Sequence, residues 1–443
     1  MTDEDPRKDS GYYEGEDIIY GYSAEMECEV VRAGSLVSLV EHLTHADKLD
    51  AAFNRTFLTT YTYFTSGVEL LQLLVQRFDS QEPQSPIRVR VLNILRQWLE
   101  SFWTELESAE TRAETLSQLQ AFVSRIEKGQ VQGQLDELVQ CRLAGVERMK
   151  RAQPSISRAP APILPRKLNA EKMQFMKIDA REIARQLTLM ESCIYAKIRR
   201  CELLHKNWQR KDSPTQNVRA LIRFFNQLSG WVGTLILGEA DLKKRTQVIG
   251  HLVNVAHECH ELNNYSAVVA ILSGLESSPI YRLGRTWAMV TQRSCDTLAP
   301  LQALMSNDNN HHAYRDALQR TMPPCIPFLG LFLKDFLFAS DGNKPYTQTG
   351  LINFTKYTLL SSTIHTMQRF QEAPYALHPV PAIQEYLATQ LQQSAGDDKV
   401  HELWEKSCKL EPRGRGDTGG ERDTYTATGG MTTSMVVACM VLD

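Results

Sequence analysis

The sequence predicts an all-α protein built from two helical domains, on three observations. Apolar residues recur at i, i+3, i+4 and i+7 along most of the chain, the period of one helix face. Alternating apolar and polar runs, which would mark half-buried strands, are almost absent. A Pro-rich stretch, RAQPSISRAPAPILP at residues 151–165, separates two helical blocks and reads as a linker. With 443 residues, 42% hydrophobic and 23% charged, the chain is long enough for two domains and apolar enough to bury their cores.

Taken in order, residues 1–20 are acidic, polar and poor in aliphatics, which predicts disorder, with order setting in near Ile18. From residue 21 to 150 a first helical module follows. Leu36, Leu39, Val40 and Leu43, then Phe53 and Phe57, then Val68, Leu71, Val75 and Phe78 lie at helical spacing, and Thr65 or Ser66 can cap the third of these helices. Pro83 and Pro86 mark a turn. Beyond it Val91, Leu92, Leu95, Trp98, Leu99 and Phe102 continue an apolar face, and two weaker helical stretches fill 104–150.

The second block spans 166–408. Ile183, Leu187, Met190, Ile194, Ile198 and Cys201 trace one long helix, Asn217 to Leu237 a second, and Val248, Leu252, Val255, Cys259 and Leu262 a third. PPCIPFLGLFLKDFLF, residues 323–338, is apolar nearly all round and predicts a central helix. Residues 353–391 then read as a helical hairpin. Leu360, Ile364 and Met367 mark its first helix, Pro374 and Pro379 break the pattern, and Pro381 starts a second helix carrying Ile383, Tyr386 and Leu387. The Gly/Thr-rich stretch 409–443 predicts a disordered tail, and Cys439 is one position too far from the end for a prenylation box.

Charge and motifs narrow the function. Lys plus Arg number 49 against 52 Asp plus Glu, so no field favours nucleic acid or an acidic membrane surface. Nine cysteines without a CxxC suit reduced thiols and a cytoplasmic setting. No signal-like segment or 18-residue apolar run appears, so nothing predicts membrane insertion. Sequons at Asn54, Asn264 and Asn353 fall in apolar, folded-looking segments and read as chance.

No phosphate-cradling GxxxxGK[ST], GxSxG elbow or HExxH is present. His251, His257, Cys259 and His260 share one predicted helix and form the nearest approach to a metal cluster, the basis of a metal-dependent hydrolase reading. Satisfied helix histidines are the plainer account. Glu258 and Glu261 at i, i+3 read as a solvated face rather than an acid/base pair. Spacing alone therefore points to a binding protein without cofactor or metal.

Five stretches, in order, carry a resemblance: ARQLTLMESCIYAKIRRCELL, VRALIRFFNQLSGWVGTLIL, VIGHLVNVAHECHELNNYSAVVAILSGLESSPIYRLGRTW, PPCIPFLGLFLKDFLF and INFTKYTLLSSTIHTMQRFQEAPY. Together they resemble the catalytic domain of Ras guanine-nucleotide exchange factors of the Son of sevenless type. Before the linker, VVRAGSLVSLVEHLT, LDAAFNRTFLTTYTYFTS and IRVRVLNILRQWLE resemble that family's N-terminal exchanger motif.

The resemblance implies a protruding hairpin that inserts into a Ras-subfamily small GTPase (Ras, Rap or Ral), opens its nucleotide site and promotes GDP release and GTP loading, with no covalent chemistry and no cofactor. It implies GTPase binding through Arg245, Asn263, Asn264, Ser273, Glu276, Phe332, Phe354 and Lys356, with Ile364, Thr366 and Met367 facing the nucleotide pocket. Recruitment to the inner face of membranes carrying the GTPase follows in the same way. Two positions depart from the pattern. Thr366 stands where the family carries an acid, and Glu276 replaces a frequent asparagine. These departures motivate a second reading, a GTPase-binding adaptor that does not catalyse exchange.

Overall fold

The computed structural model describes residues 17–24, 27–103, 109–145, 159–166, 169–210, 215–394, 396 and 398–412. The predicted disorder of residues 1–16 and 413–443, and the first half of the Pro-rich stretch, lie outside these. In chain order the strands are β1 (Ile18–Ser23) and β2 (Cys28–Gly34), followed by α1 (Leu36–Leu43), α2 (Ala51–Thr60), α3 (Gly67–Asp79), α4 (Pro86–Gln97), α5 (Ala109–Arg125) and α6 (Gln130–Leu143). Then come α7 (Ala180–Tyr195), the single turn α8 (Arg200–Leu203), α9 (Gln216–Leu237), α10 (Leu242–Glu261), α11 (Tyr265–Leu275), α12 (Ser278–Tyr281), α13 (Gly284–Ala288) and α14 (Gln292–Met305). The chain closes with α15 (His312–Arg320), α16 (Leu329–Gly342), α17 (Phe354–Arg369), α18 (Pro381–Gln393) and α19 (Asp398–Leu410). Helix dominates as predicted.

Two compact units divide the chain, and neither is one continuous segment. The first unit takes Met1–Lys150, Leu203–Lys206 and Lys334–Thr366; the second takes the remainder. In the first, β1 and β2 pair antiparallel from Ile18 with Gly34 to Ser23 with Cys28. Periodicity missed this hairpin; its first strand begins at Ile18, where order is expected to set in, so the last three residues of the acidic stretch 1–20 are ordered. Gly34 also exchanges both backbone hydrogen bonds with Ile352, at 3.2 and 2.9 Å, so the segment ahead of α17 extends the sheet edge. Side chains then start the helices. Ser35, Asp50, Ser66 and Ser85 each accept a first-turn amide of the helix that follows, and Pro86 opens α4 where no N–H is needed. Leu39, Phe57, Leu70, Leu74, Leu95 and Trp98 are fully buried beneath them.

In the second unit α7 packs on α10, α9 on α11, and α18 and α19 against α9. All eleven residues of α11 are buried, so α11 is its central helix. The close approach of α9 needs Gly274, because a Cβ there would meet Val232 Cβ at 2.6 Å and Ser229 O at 2.7 Å. The stretch predicted to be central, 323–338, is so only in part. Leu329–Leu333 are buried in the second unit, whereas Phe338, in the first, is 66% exposed. Two boundaries also shift. Ile163, in the expected linker, donates its amide to Glu182 Oε2 at 2.9 Å, and α19 runs past residue 408 to end at Leu410 beside a buried Glu411.

Candidate functional site

Each unit contributes residues that the resemblance nominates. In the first unit Phe354 opens α17 and is 2% exposed, its ring stacked on Phe53 of α2 with centroids 4.5 Å apart. Tyr357, one turn on, packs against Tyr63 and Phe64. The base of α17 is therefore an aromatic core. Lys356 is buried as well; its Nζ donates to Ser340 O at 2.6 Å and Asn343 O at 2.8 Å, satisfying carbonyls that the end of α16 leaves open. Burial lowers the Lys356 ammonium below its usual range, with the nearby Lys206 charge pushing the same way and Asp341 opposing.

Farther along α17, Ile364 is fully buried and Thr366 half-buried, its hydroxyl donating to Ser362 O. His365 lies 3.0 Å from the Thr59 hydroxyl. Because that hydroxyl already donates to Arg55 O at 2.7 Å, the imidazole Nε2–H is the donor to Thr59. The outward line of the helix is Thr358, Leu359, Ser362, Thr363 and Thr366, with Leu359 47% exposed. Its i, i+3, i+4, i+7 spacing makes one narrow face of small hydroxyls around a single leucine. Leu359 and Ser362 were not among the nominated residues, although that same spacing pointed to them.

In the second unit the turn between α10 and α11 forms a corner. Asn263 takes a left-handed conformation, φ 55°, which asparagine tolerates better than most residues. Its carbonyl accepts from Ile326 N at 3.0 Å and its side-chain amide donates to Pro324 O at 3.3 Å. Asn264, fully buried, caps α11 by accepting Ala267 N at 3.0 Å and donates to Thr188 Oγ1 of α7 at 3.1 Å. Ser273 and Phe332 are buried on α11 and α16, and exposed Glu276 accepts from Gln302 at 2.9 Å. Met367 turns inward. Its carbonyl accepts the Tyr195 hydroxyl at 2.7 Å.

Straps that the sequence did not flag hold the segment between α17 and α18. Gln371 donates to the carbonyls of Tyr195 and Ile198, Tyr375 donates to Leu262 O, and Gln186 Oε1 accepts from Val380 N and Gln384. Burial pushes the Tyr375 phenol well above its ordinary range, which keeps the strap a neutral donor.

Arg245 sits in a different cluster, 3% exposed. Its guanidinium donates to Thr286 Oγ1 at 2.9 Å and to the carbonyls of Glu239 and Ala240, and reaches Glu411 Oε1 at 3.5 Å. Glu411 accepts in addition from Arg285 N, Thr286 N and Thr286 Oγ1. Burial opposes ionisation of Glu411, but the Thr286 hydroxyl, these two amides and the Arg285 charge outweigh it and hold the carboxyl below its usual range. Arg245 thus ties the start of α10 to the end of α19.

The histidines of α10 do not converge. His251 packs edge-on against Phe175, His257 is exposed, Cys259 is fully buried and His260 lies beside Glu261 and Tyr265. Among the described residues no group of three or more His, Cys, Asp or Glu could hold a metal ion. Glu258 is held by Arg181 at 2.8 and 3.1 Å. Asn54 and Asn264, two of the sequon asparagines, are buried, and the Asn353 amide donates to Lys344 O. Among the described residues no helix is long and apolar enough to cross a membrane.

Two family models match. The RasGEF domain covers residues 182–358 and the RasGEF N-terminal motif residues 30–122, and the chain belongs to the RasGEF-domain family they define. Among its relatives, Ras guanine nucleotide exchange factor A of Dictyostelium discoideum is 32% identical over 411 residues, covering 88% of this chain and 66% of the relative. Cell division control protein 25 of Candida albicans is 33% identical over 415 residues, covering 86% and 30% respectively, and its namesake in Saccharomyces cerevisiae 30% identical over 448, covering 90% and 28%. The chain therefore spans less than two thirds of the length of these relatives. The RasGEF match ends inside α17, so Leu359 to Met367 lie beyond it.

Proposed function

We propose that this chain is a guanine-nucleotide exchange factor for a Ras-subfamily GTPase, with residues 21–150 as a supporting module, 151–165 as a linker and 166–408 as the exchanger. The observation that carries the reading is the RasGEF domain preceded by the RasGEF N-terminal motif, in a chain that aligns over most of its length with a protein named as a Ras exchange factor. It is a catalyst without covalent chemistry. A factor that weakens the GTPase's hold on nucleotide must itself bind the nucleotide-free GTPase more tightly by the same ratio. Binding energy is thereby given to an open state, and net loading follows the excess of GTP.

Within this reading the outward line Leu359, Ser362, Thr363 and Thr366 enters the GTPase. In the second unit Asn263 and Glu276 offer polar contacts, with Asn264, Ser273, Phe332 and Met367 shaping that surface from beneath; in the first, Phe354 and Ile364 support α17 from beneath. Lys356 and Arg245, whose donors are engaged inside the protein, act as braces. Phe53 and Thr59 of the supporting module hold α17 through Phe354 and His365, a rigid mount for a binding element. Work on a lipidated GTPase would require peripheral recruitment from the cytoplasm to the inner face of its membrane.

Release of a fluorescent guanine nucleotide from a panel of Ras, Rap and Ral proteins tests the proposal. Acceleration on at least one member is expected, and none on any member would sink it. Thr366, in place of an acid, favours one rival, a GTPase-binding adaptor; tight binding to a nucleotide-free GTPase without faster release would select it.

A further inference from the structure

We propose that Glu191 is a proton-carrying positioning residue of the RasGEF domain, whose neutral form keeps the Asn263–Asn264 corner in place. Glu191 lies on α7, 1% exposed, and neither carboxyl oxygen accepts a well-formed hydrogen bond; the Ser266 hydroxyl and the Asn264 amide are the donors near enough to act on it. One turn earlier on the same helix, Thr188 Oγ1 accepts the Asn264 side-chain amide at 3.1 Å, so that amide lies over this part of α7. Asn264 is also the cap of α11, through Ala267 N, and its own backbone N–H donates to Cys259 O at 2.8 Å. A buried carboxyl without a well-formed hydrogen bond thus adjoins the residue that starts the central helix.

The neighbours leave Glu191 without a counter-charge. The titratable groups around it are Cys259 of α10, Tyr195 of α7 and Tyr375 from the segment after α17, with Cys325 beside the two tyrosines and Glu258 acting on Cys259. Burial pushes the Cys259 thiol and both phenols well above their ordinary ranges and Cys325 up to about 12, so all four are neutral at physiological pH. No cation is among the groups acting on Glu191. Burial pushes its carboxyl up to about 7, against the pull of Ser266 and Asn264.

The two protonation states make different demands. A neutral carboxylic acid leaves the Asn264–Thr188 bond undisturbed. An anion must draw donors toward itself, and the nearest are the Ser266 hydroxyl and the Asn264 amide, one of whose two N–H groups goes to Thr188. Ionisation therefore pulls on the side chain that caps α11 and follows Asn263. In the unfolded chain the carboxyl titrates near 4.5. The folded state binds the proton more tightly, so this site's stabilisation is complete below 4.5, declines as pH rises toward about 7 and changes little above.

Heat unfolding of the chain and of Glu191→Gln between pH 5 and 8 is the test. Glutamine keeps the size and neutrality of the protonated acid. The two midpoints should lie close together at pH 5 and separate toward pH 8, where the variant is the more stable. The limiting effect of the site is about 300-fold in the unfolding constant, the ratio set by 4.5 and about 7. Parallel profiles would overturn the proposal. Should the variant not fold, amide hydrogen exchange on the unaltered chain decides: protection at 264–268, corrected for intrinsic rate, should fall from pH 5.5 to 8 more than in α14, and equal changes in both would overturn it. Neither measurement uses a GTPase, so failure here leaves the exchange reading standing.

Discussion

Phe53 and Phe354 stack ring on ring, 4.5 Å between centroids and 24° from coplanar, and join α2 to the first residue of α17. The Phe354 ring has almost no free surface. Phe354→Ala should cost about 3–5 kcal/mol of stability in denaturant unfolding. Phe53→Ala should cost a similar amount, and the double variant less than the sum by about 0.5–1.5 kcal/mol because the stacked pair is lost only once. Exchange should fall in each, since the mount of α17 loosens. A Phe354→Ala protein of unchanged stability and no exchange would instead make the ring a GTPase contact.

Arg245 and Glu411 give a second prediction, on acid stability. Glu411 is held below its ordinary value of 4.5, so its contribution is present above that value and lost as pH falls through the folded-state value. Arg245→Ala would leave the buried Glu411 carboxylate with only the exposed Arg285, at 4.0 Å, as a cation and should destabilise by about 3–5 kcal/mol at neutral pH. Glu411→Gln should flatten the loss of stability below 4.5 relative to the unaltered chain. Identical acid profiles for the two proteins would remove Glu411 from the account. Arg245→Lys should not rescue, because an ammonium cannot copy a guanidinium that serves Thr286 and two carbonyls at once.

These two cases also mark how far the sequence could be read. Helices whose start is encoded next door are legible: of the two candidate caps Thr65 and Ser66, Ser66 accepts Glu69 N. The apolar period likewise found Leu360, Ile364 and Met367, all buried. Roles set by distant partners were not legible. Arg245 has a binding residue's chemistry in sequence, and partners as distant as Thr286, 41 positions on, and Glu411, 166 positions on, turn it inward. The β1–β2 hairpin escaped because it is short and its edge is completed by Ile352, far along the chain. The central helix was misplaced for a related reason. Both 323–338 and α11 are strongly apolar in sequence, while burial depends on what surrounds each, and Phe338 of the former is largely bare.

The outward line of α17 gives the last prediction, which separates wedge from core. Leu359 is half exposed, so Leu359→Ala should change stability by no more than about 0.5 kcal/mol. If the residue enters the GTPase, nucleotide release should slow about tenfold, the equivalent of ~1.4 kcal/mol of lost contact. Ile364→Ala makes the contrast. It lies on the opposite side of the helix, fully buried, and should cost about 2–5 kcal/mol of stability first and exchange only through it. Thr366→Glu introduces the acid that the resemblance implies for this position. Its half-buried hydroxyl bonds only within the helix, to Ser362 O, so the change should be tolerated, and release should quicken if charge near the phosphate site assists opening. An unchanged rate for both Leu359→Ala and Thr366→Glu, beside a normal rate for the parent chain, would move the working surface off this face of α17.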